Sequence, residues 1–107
     1  MSESHGEPFV VIKTTIPHSL KLRFKVCCVQ KDLRMSAVLE KLIRQWIQSE
    51  LTSLEFTSSL SHEKVEEVKG YIPKSLKLQF KILCVEKQVG MGFVLHSLIQ
   101  DWVHADN

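Results

Sequence analysis

The sequence predicts an α+β fold that is mostly helical, with a two-stranded antiparallel ribbon and four helices. Three observations lead to this prediction. The chain repeats itself, and each copy begins with a short segment rich in β-branched residues. Two stretches with apolar residues at helical spacing follow each segment.

The repeat aligns residues 11–47 with residues 67–103 without a gap, at a constant offset of 56. Eighteen of the 37 aligned positions are identical, which chance does not produce. We therefore expect one pseudo-dimeric domain over residues 1–107. Its predicted parts are a tail over 1–8, a first unit over 9–47, a linker over 48–66 and a second unit over 67–103.

Each unit is predicted to form a strand followed by two helices. In the first unit, residues 9–16 form the strand, which stops at Pro17 because proline cannot donate a hydrogen bond to a neighbouring strand. Proline suits the first position of the helix that follows. The predicted breaks between helices are residues 31–34 and 87–90. The core-facing apolar residues of the first unit's helices are Leu20, Phe24, Cys27, Cys28, Val38, Leu39, Leu42, Ile43, Trp46 and Ile47.

Neither unit is expected to be stable alone. A single strand has no partner, and about forty residues is near the lower limit for an independent fold. Two copies in one chain allow the strands to pair antiparallel while four helices enclose one core. The duplication therefore predicts a covalent equivalent of a homodimer.

Composition narrows the function classes. The chain is 44% hydrophobic and 24% charged, and we find no apolar run of the ~18 residues that a membrane span requires. The first eight residues do not resemble an export signal, and the three cysteines lack metal-ligand spacing. No nucleotide-binding glycine loop or catalytic constellation is recognisable. We expect a cytoplasmic protein that is not an enzyme and that binds no cofactor and no metal.

Basic charge is concentrated in the first unit. Residues 9–50 carry eight Lys and Arg against three Asp and Glu, whereas residues 67–107 carry five against four. The net charge of the whole chain is +2, which alone says little about nucleic acid.

The pattern of strand, Ile-Pro, helix, short break and helix resembles the ribbon-helix-helix family of prokaryotic DNA-binding proteins (Arc/MetJ/CopG-like), in a tandem single-chain form. It is present twice, at Ile16-Pro17 and at Ile72-Pro73. The resemblance implies that the paired strands bind the major groove of double-stranded DNA. The function it implies is sequence-specific, nucleoid-associated transcriptional regulation.

The resemblance also implies site residues. The residue before each proline would face the core, so the alternate strand residues would face the groove and contact bases. These are Val11, Lys13, Thr15, Glu67, Lys69 and Tyr71. Lysine can donate to guanine, and the two lysines are expected to lie together near a pseudo-two-fold axis. Because the two outward faces differ, we expect an asymmetric operator.

A phosphate is expected at the start of each unit's second helix, where unpaired N–H groups and the helix dipole favour an anion. The predicted phosphate-contacting residues are Arg34, Met35, Ser36, Gly90, Met91 and Gly92. The second set lacks the serine that is usual in the family, which weakens the predicted clamp in that unit.

The first helix of each unit also carries a second apolar stripe, opposite its core-facing residues. The six stripe residues are Leu22, Val26, Val29, Leu78, Ile82 and Val85. This outer face predicts self-association or a protein partner. The alternative is that linker residues Leu51, Leu54, Phe56 and Leu60 fold back over one stripe.

Two other functions stay open. An antitoxin-type regulator would bind DNA and a toxin, although the chain ends soon after the second unit, where a toxin-binding tail would be expected. A protein-interaction module that has lost DNA binding is favoured by Glu67, by the missing serine and by the modest net charge. Lys13, Lys69 and Arg34 disfavour it.

Overall fold

The computed structural model describes residues 7–49 and 64–105, and it confirms a mostly helical α+β fold with one two-stranded antiparallel sheet. Within these ranges the chain forms six elements in two repeats of strand, helix, helix. They are β1 (Phe9–Pro17), α1 (His18–Gln30), α2 (Met35–Ser49), β2 (Val65–Pro73), α3 (Lys74–Lys87) and α4 (Met91–Ala105).

The two strands pair along their whole length, with Lys13 opposite Lys69. The pairing continues into the helices, because the His18 N–H donates to the Lys64 carbonyl at 2.9 Å and the Lys74 N–H donates to the Pro8 carbonyl at 3.0 Å. The ribbon is therefore closed at both ends by hydrogen bonds from the first helical residues of α1 and α3.

Pro17 ends β1 instead of starting a helix, which corrects the predicted boundary. Its ψ angle of 147° is extended, and α1 begins one residue later, at His18. Pro73 has the same conformation before α3. The predicted linker boundaries also shift, since α2 continues to Ser49 and β2 begins at Val65. The alternative contact of linker residues Leu51, Leu54, Phe56 and Leu60 with a stripe lies outside the described residues, as does most of the tail.

Each break between helices contains one residue in the left-handed region. Asp32 has φ 55° and its repeat equivalent Gln88 has φ 58°. In both breaks the next N–H reaches back to close the helix end, from Leu33 to the Cys28 carbonyl at 2.8 Å and from Val89 to the Cys84 carbonyl at 3.0 Å. The two turns are therefore alike, although Asp32 carries a carboxylate and Gln88 carries an amide.

The second helix of each repeat packs across the molecule. Helix α2 lies mainly against β2, and α4 lies mainly against β1. Two aromatic pairs also join the repeats edge to face: Phe24 with Trp102, at 5.6 Å between ring centroids, and Trp46 with Phe80, at 5.5 Å. Both phenylalanines are fully buried. The two halves thus share one core, in which most of the predicted core-facing residues are buried.

Among the described residues, no single helix is long and apolar enough to cross a membrane. Helices α3 and α4 meet that test of length and composition only when they are taken together, and the pair is bent by 103°.

Candidate nucleic-acid interface

One face of the ribbon is exposed and the other is buried. All six residues predicted to face a DNA groove lie on the exposed face: Val11, Lys13, Thr15, Glu67, Lys69 and Tyr71. The alternate positions Ile12, Ile16, Val68 and Ile72 are buried in the core. The period-2 alternation of a strand accounts for this arrangement once one position is assigned to the core.

The central part of the exposed face consists of three cross-strand rows with different chemistry. Val11 lies opposite Tyr71 at one end, Lys13 lies opposite Lys69 in the centre, and Thr15 lies opposite Glu67 at the other end. This central part of the ribbon therefore has an apolar and aromatic end, a cationic middle and an acidic end. Its two ends offer different groups to any ligand that lies along it.

Glu67, in the acidic row, forms an ion pair with Lys13 in the central row. The Lys13 Nζ lies 3.7 Å from the Glu67 Oε2, and both side chains are at least half exposed. Exposed pairs of this kind contribute at most about 1 kcal/mol, so the contact is weak. It nevertheless offsets the repulsion between two lysines placed opposite each other. Among the described residues we find no such ion pair for Lys69, so the two lysines differ.

The N-termini of α2 and α4 start beside the ribbon, at the residues predicted to contact phosphate. The first helical hydrogen bond of α2 joins the Val38 N–H to the Arg34 carbonyl, and that of α4 joins the Val94 N–H to the Gly90 carbonyl, both at 3.0 Å. The N–H groups before these bonds have no intrahelical acceptor. Neither first turn contains an acidic side chain, which suits an anion.

The two helix starts differ in their side chains. Arg34 is exposed and Ser36 is half-buried at the start of α2, whereas Gly90 and Gly92 leave the start of α4 with backbone groups at the same positions. Met35 and Met91 are half-buried and pack against the core. An anion at α2 would therefore meet a guanidinium that an anion at α4 would not.

Ser36 also has a role that sequence reasoning missed. Its Oγ accepts a hydrogen bond from the Tyr71 N–H at 3.0 Å, which holds the start of α2 against the outer edge of β2. Where the start of α4 meets β1, the Thr14 hydroxyl donates to the Gly92 carbonyl at 2.9 Å. Nothing in the spacing of the sequence identifies these pairs, because each joins residues from different repeats.

Side chains from α1 and α3 fasten the outer edges and ends of the ribbon. The Lys77 Nζ donates to the Val11 carbonyl at 3.0 Å. Glu66 lies 3.1 Å from the His18 Nδ1 and 3.9 Å from the Lys21 Nζ. The hydrogen bond from His18, together with the nearby charge of Lys21, holds the pKa of Glu66 below its usual value. The Glu7 carboxylate accepts hydrogen bonds from the Ser75 side chain and from the Ser75 N–H near the start of α3, and both lower the pKa of Glu7.

The predicted outer stripes on α1 and α3 are exposed. All six stripe residues are between 47% and 75% exposed within the described structure. Basic side chains flank them, including Lys25 on α1 and Lys81 on α3, which are also exposed. The stripes are therefore surfaces of the described fold and not part of its core.

The cysteines are buried free thiols. Burial raises the pKa of Cys84 to about 11 and also raises the pKa of Cys28, so both favour the uncharged form. Residues 7–49 and 64–105 contain no cluster of three or more side chains able to hold a metal ion.

Comparison of this chain with protein-family models, with curated proteins and with solved structures found no match.

Proposed function

We propose that the chain is a tandem ribbon-helix-helix protein that binds double-stranded DNA, with its ribbon in the major groove. The observation that carries the proposal is the exposed face of the ribbon, where two rows of different side chains flank the row of central lysines. A two-stranded ribbon fits the width of the major groove, and lysine can donate to the O6 and N7 of guanine. We further propose that the protein acts as a cytoplasmic, nucleoid-associated transcriptional regulator in a prokaryote.

A pseudo-two-fold axis between the central lysines is part of the proposal. Among the cross-strand pairs of the ribbon, Lys13 and Lys69 are the pair whose members occupy the same position of the repeat. An axis through this pair relates the start of α2 to the start of α4 on either side of the ribbon. Two phosphates flanking one groove would then be bound at equivalent places.

The ribbon's unequal ends support an asymmetric operator. Tyr71 and Val11 can contact a thymine methyl group, and Glu67 can accept a hydrogen bond from the N4 of cytosine. Arg34 would strengthen the phosphate contact on one side. The preferred DNA is therefore expected to lack a perfect palindrome.

Selection from a random duplex pool tests this function, followed by affinity measurements over a range of salt concentrations. A DNA binder is expected to enrich a defined sequence and to lose affinity steeply as salt rises, because phosphate contacts release counterions. Failure to enrich any sequence would instead support the protein-interaction module.

The lysine assignment has a matched control. We compare Lys13→Ala/Lys69→Ala with Lys25→Ala/Lys81→Ala, which removes the same charge from repeat-equivalent exposed positions on α1 and α3. The ribbon variant is expected to lose tenfold or more of its preference for the selected sequence, since a good base contact is worth about 1–3 kcal/mol. The helix variant is expected to keep that preference. Equal preference in both variants would show that the central lysines do not read bases.

The exposed stripes favour association as a second element of the proposal, either between neighbouring copies on DNA or with a protein partner. Sedimentation over a wide concentration range tests self-association. Leu22→Gln/Leu78→Gln is expected to weaken association, whereas Lys41→Ala, at an exposed position on α2, which carries no stripe, serves as the control. A wild-type chain that stays strictly monomeric at high concentration, with and without DNA, would exclude self-association.

A further inference from the structure

Two equivalent contacts between a strand and a helix join the halves of the chain. Because α2 lies against β2 and α4 lies against β1, each contact pairs a strand of one repeat with a helix of the other. Position 70 of β2 meets position 36 of α2, and position 14 of β1 meets position 92 of α4. The repeat offset makes these two contacts equivalent, yet they are built from different residues.

At the first contact, the side chain comes from the helix. Gly70 is buried, and a β-carbon there would lie 2.9 Å from the Ser36 Oγ and 3.1 Å from the Ser36 Cα. The 2.9 Å contact would require the Ser36 hydroxyl to move, and the 3.1 Å contact would require the helix backbone to shift by a few tenths of an ångström. The absence of a side chain at Gly70 leaves room for the Ser36 hydroxyl, which accepts the hydrogen bond from the Tyr71 N–H.

At the second contact, the side chain comes from the strand. A β-carbon at Gly92 would lie 3.1 Å from the Thr14 Oγ1. The Thr14 hydroxyl instead donates to the Gly92 carbonyl at 2.9 Å. The large and small residues are thus exchanged relative to the first contact, and each contact contains one hydroxyl and one glycine.

We propose that these two contacts make each half of the chain selective for the other half as its partner. If two copies of the first repeat paired, Thr14 would meet Ser36, so two side chains would compete for space that holds one. If two copies of the second repeat paired, Gly70 would meet Gly92, and both hydroxyl hydrogen bonds would be lost. Pairing of unlike halves therefore satisfies both contacts, and pairing of like halves satisfies neither. This selectivity does not depend on DNA binding.

Variants with the same four residues in different places test the proposal in the full chain. Exchanging the strand residues (Thr14→Gly/Gly70→Thr) creates one Thr–Ser and one Gly–Gly contact, which are the contacts that like halves would form. Exchanging the helix residues (Ser36→Gly/Gly92→Ser) creates the same two mismatches. Combining both exchanges restores two matched contacts at swapped locations, so the composition of all four proteins is identical.

Unfolding in urea, with sedimentation as a check on oligomeric state, measures the result. Each double exchange is expected to raise the unfolding equilibrium constant at least ~30-fold, because overpacking and lost hydrogen bonds both destabilise. The unfolding equilibrium constant of the quadruple exchange is expected to be at least ~10-fold lower than that of either double exchange. Its recovery is expected to be incomplete, since a β-carbon at position 70 would also approach the Leu39 Cδ1 and the Ser36 Cα.

Every outcome decides between complementarity and independent effects. If the double exchanges do not fold and the quadruple exchange does, the proposal is supported. Double exchanges as stable as wild type overturn it. A quadruple exchange that is no more stable than the double exchanges, or that also fails to fold, overturns it as well.

Discussion

The two repeats agree at most core positions and differ on most of the surface proposed to meet DNA. Ile16 and Ile72 are identical, as are Phe24 and Phe80, and all four are fully buried. On the exposed ribbon face, Val11 is replaced by Glu67 and Thr15 by Tyr71. Shared packing therefore constrains most buried positions of both repeats alike, while exposed positions can acquire separate roles.

The central lysines are the exception on that exposed face. Lys13 and Lys69 are identical although both are exposed, and no core contact requires a lysine there. Their identity sets them apart from the other rows of the ribbon. The environments still differ, because Glu67 approaches Lys13.

The largest loss of folding stability is expected when a buried phenylalanine is removed from the core of either repeat. Phe24→Ala and Phe80→Ala are each expected to destabilise the fold by about 3–5 kcal/mol, as is usual for a buried aromatic ring. Because each ring packs edge-on against a tryptophan of the other repeat, the two losses are expected to agree closely. Urea unfolding monitored by tryptophan fluorescence provides the measurement. A large difference between the two variants would show that the halves do not share the core equally.

If the chain binds DNA as proposed, the starts of α2 and α4 are expected to contribute unequally to its affinity. Arg34→Gly is expected to weaken binding to all duplexes alike and to reduce the salt dependence of log Kd by about one, as for a lost phosphate contact. Gly90→Arg is expected to strengthen binding to all duplexes and to increase the salt dependence of log Kd. Folding is expected to be unchanged, because Gly90 is exposed and its φ is not positive. Titrations with the selected duplex and with an unrelated one check both. Sequence-dependent loss in Arg34→Gly would indicate base contact instead.

A smaller effect is expected from the carboxylate at one end of the ribbon. The pKa of Glu66 is lowered in the folded state by its hydrogen bond to His18, so the charged form stabilises the fold. This contribution is present above the unfolded pKa, near 4.5, and is lost as pH falls through the lower folded value. Glu66→Gln is expected to lower the urea midpoint slightly at neutral pH and to lose less stability on acidification. Parallel acid curves for the two proteins would contradict this assignment.

The smallest change in folding stability is expected from glycine substitutions in the two breaks between helices. Glycine adopts the left-handed conformation without strain, so Gln88→Gly is expected to stabilise the fold by roughly 0.5–1 kcal/mol. Asp32→Gly is expected to gain less, since aspartate tolerates this conformation better than glutamine. Thermal unfolding of the two variants and of wild type tests this order. Destabilisation by either change would show that the side chain makes a contact worth more than the strain.

The sequence predicted much of this architecture. The gapless repeat and the change from β-branched residues to helical spacing identified six elements, and the alternation around Ile16 and Ile72 separated the exposed ribbon face from the buried one. The predicted boundary between β1 and α1 was less accurate. Pro17 ends the strand and does not start the helix, and the φ of a proline suits both positions.

The periodicity of the sequence determined which face of each strand and helix is apolar, because that follows from local geometry. Tertiary structure alone decided which element each face meets: α2 crosses to β2 and α4 to β1. It also decided that the Ser36 and Thr14 hydroxyls bind backbone groups of the opposite repeat, and that Glu67 approaches Lys13. These contacts depend on the register and spacing of segments distant in sequence, which no local pattern encodes.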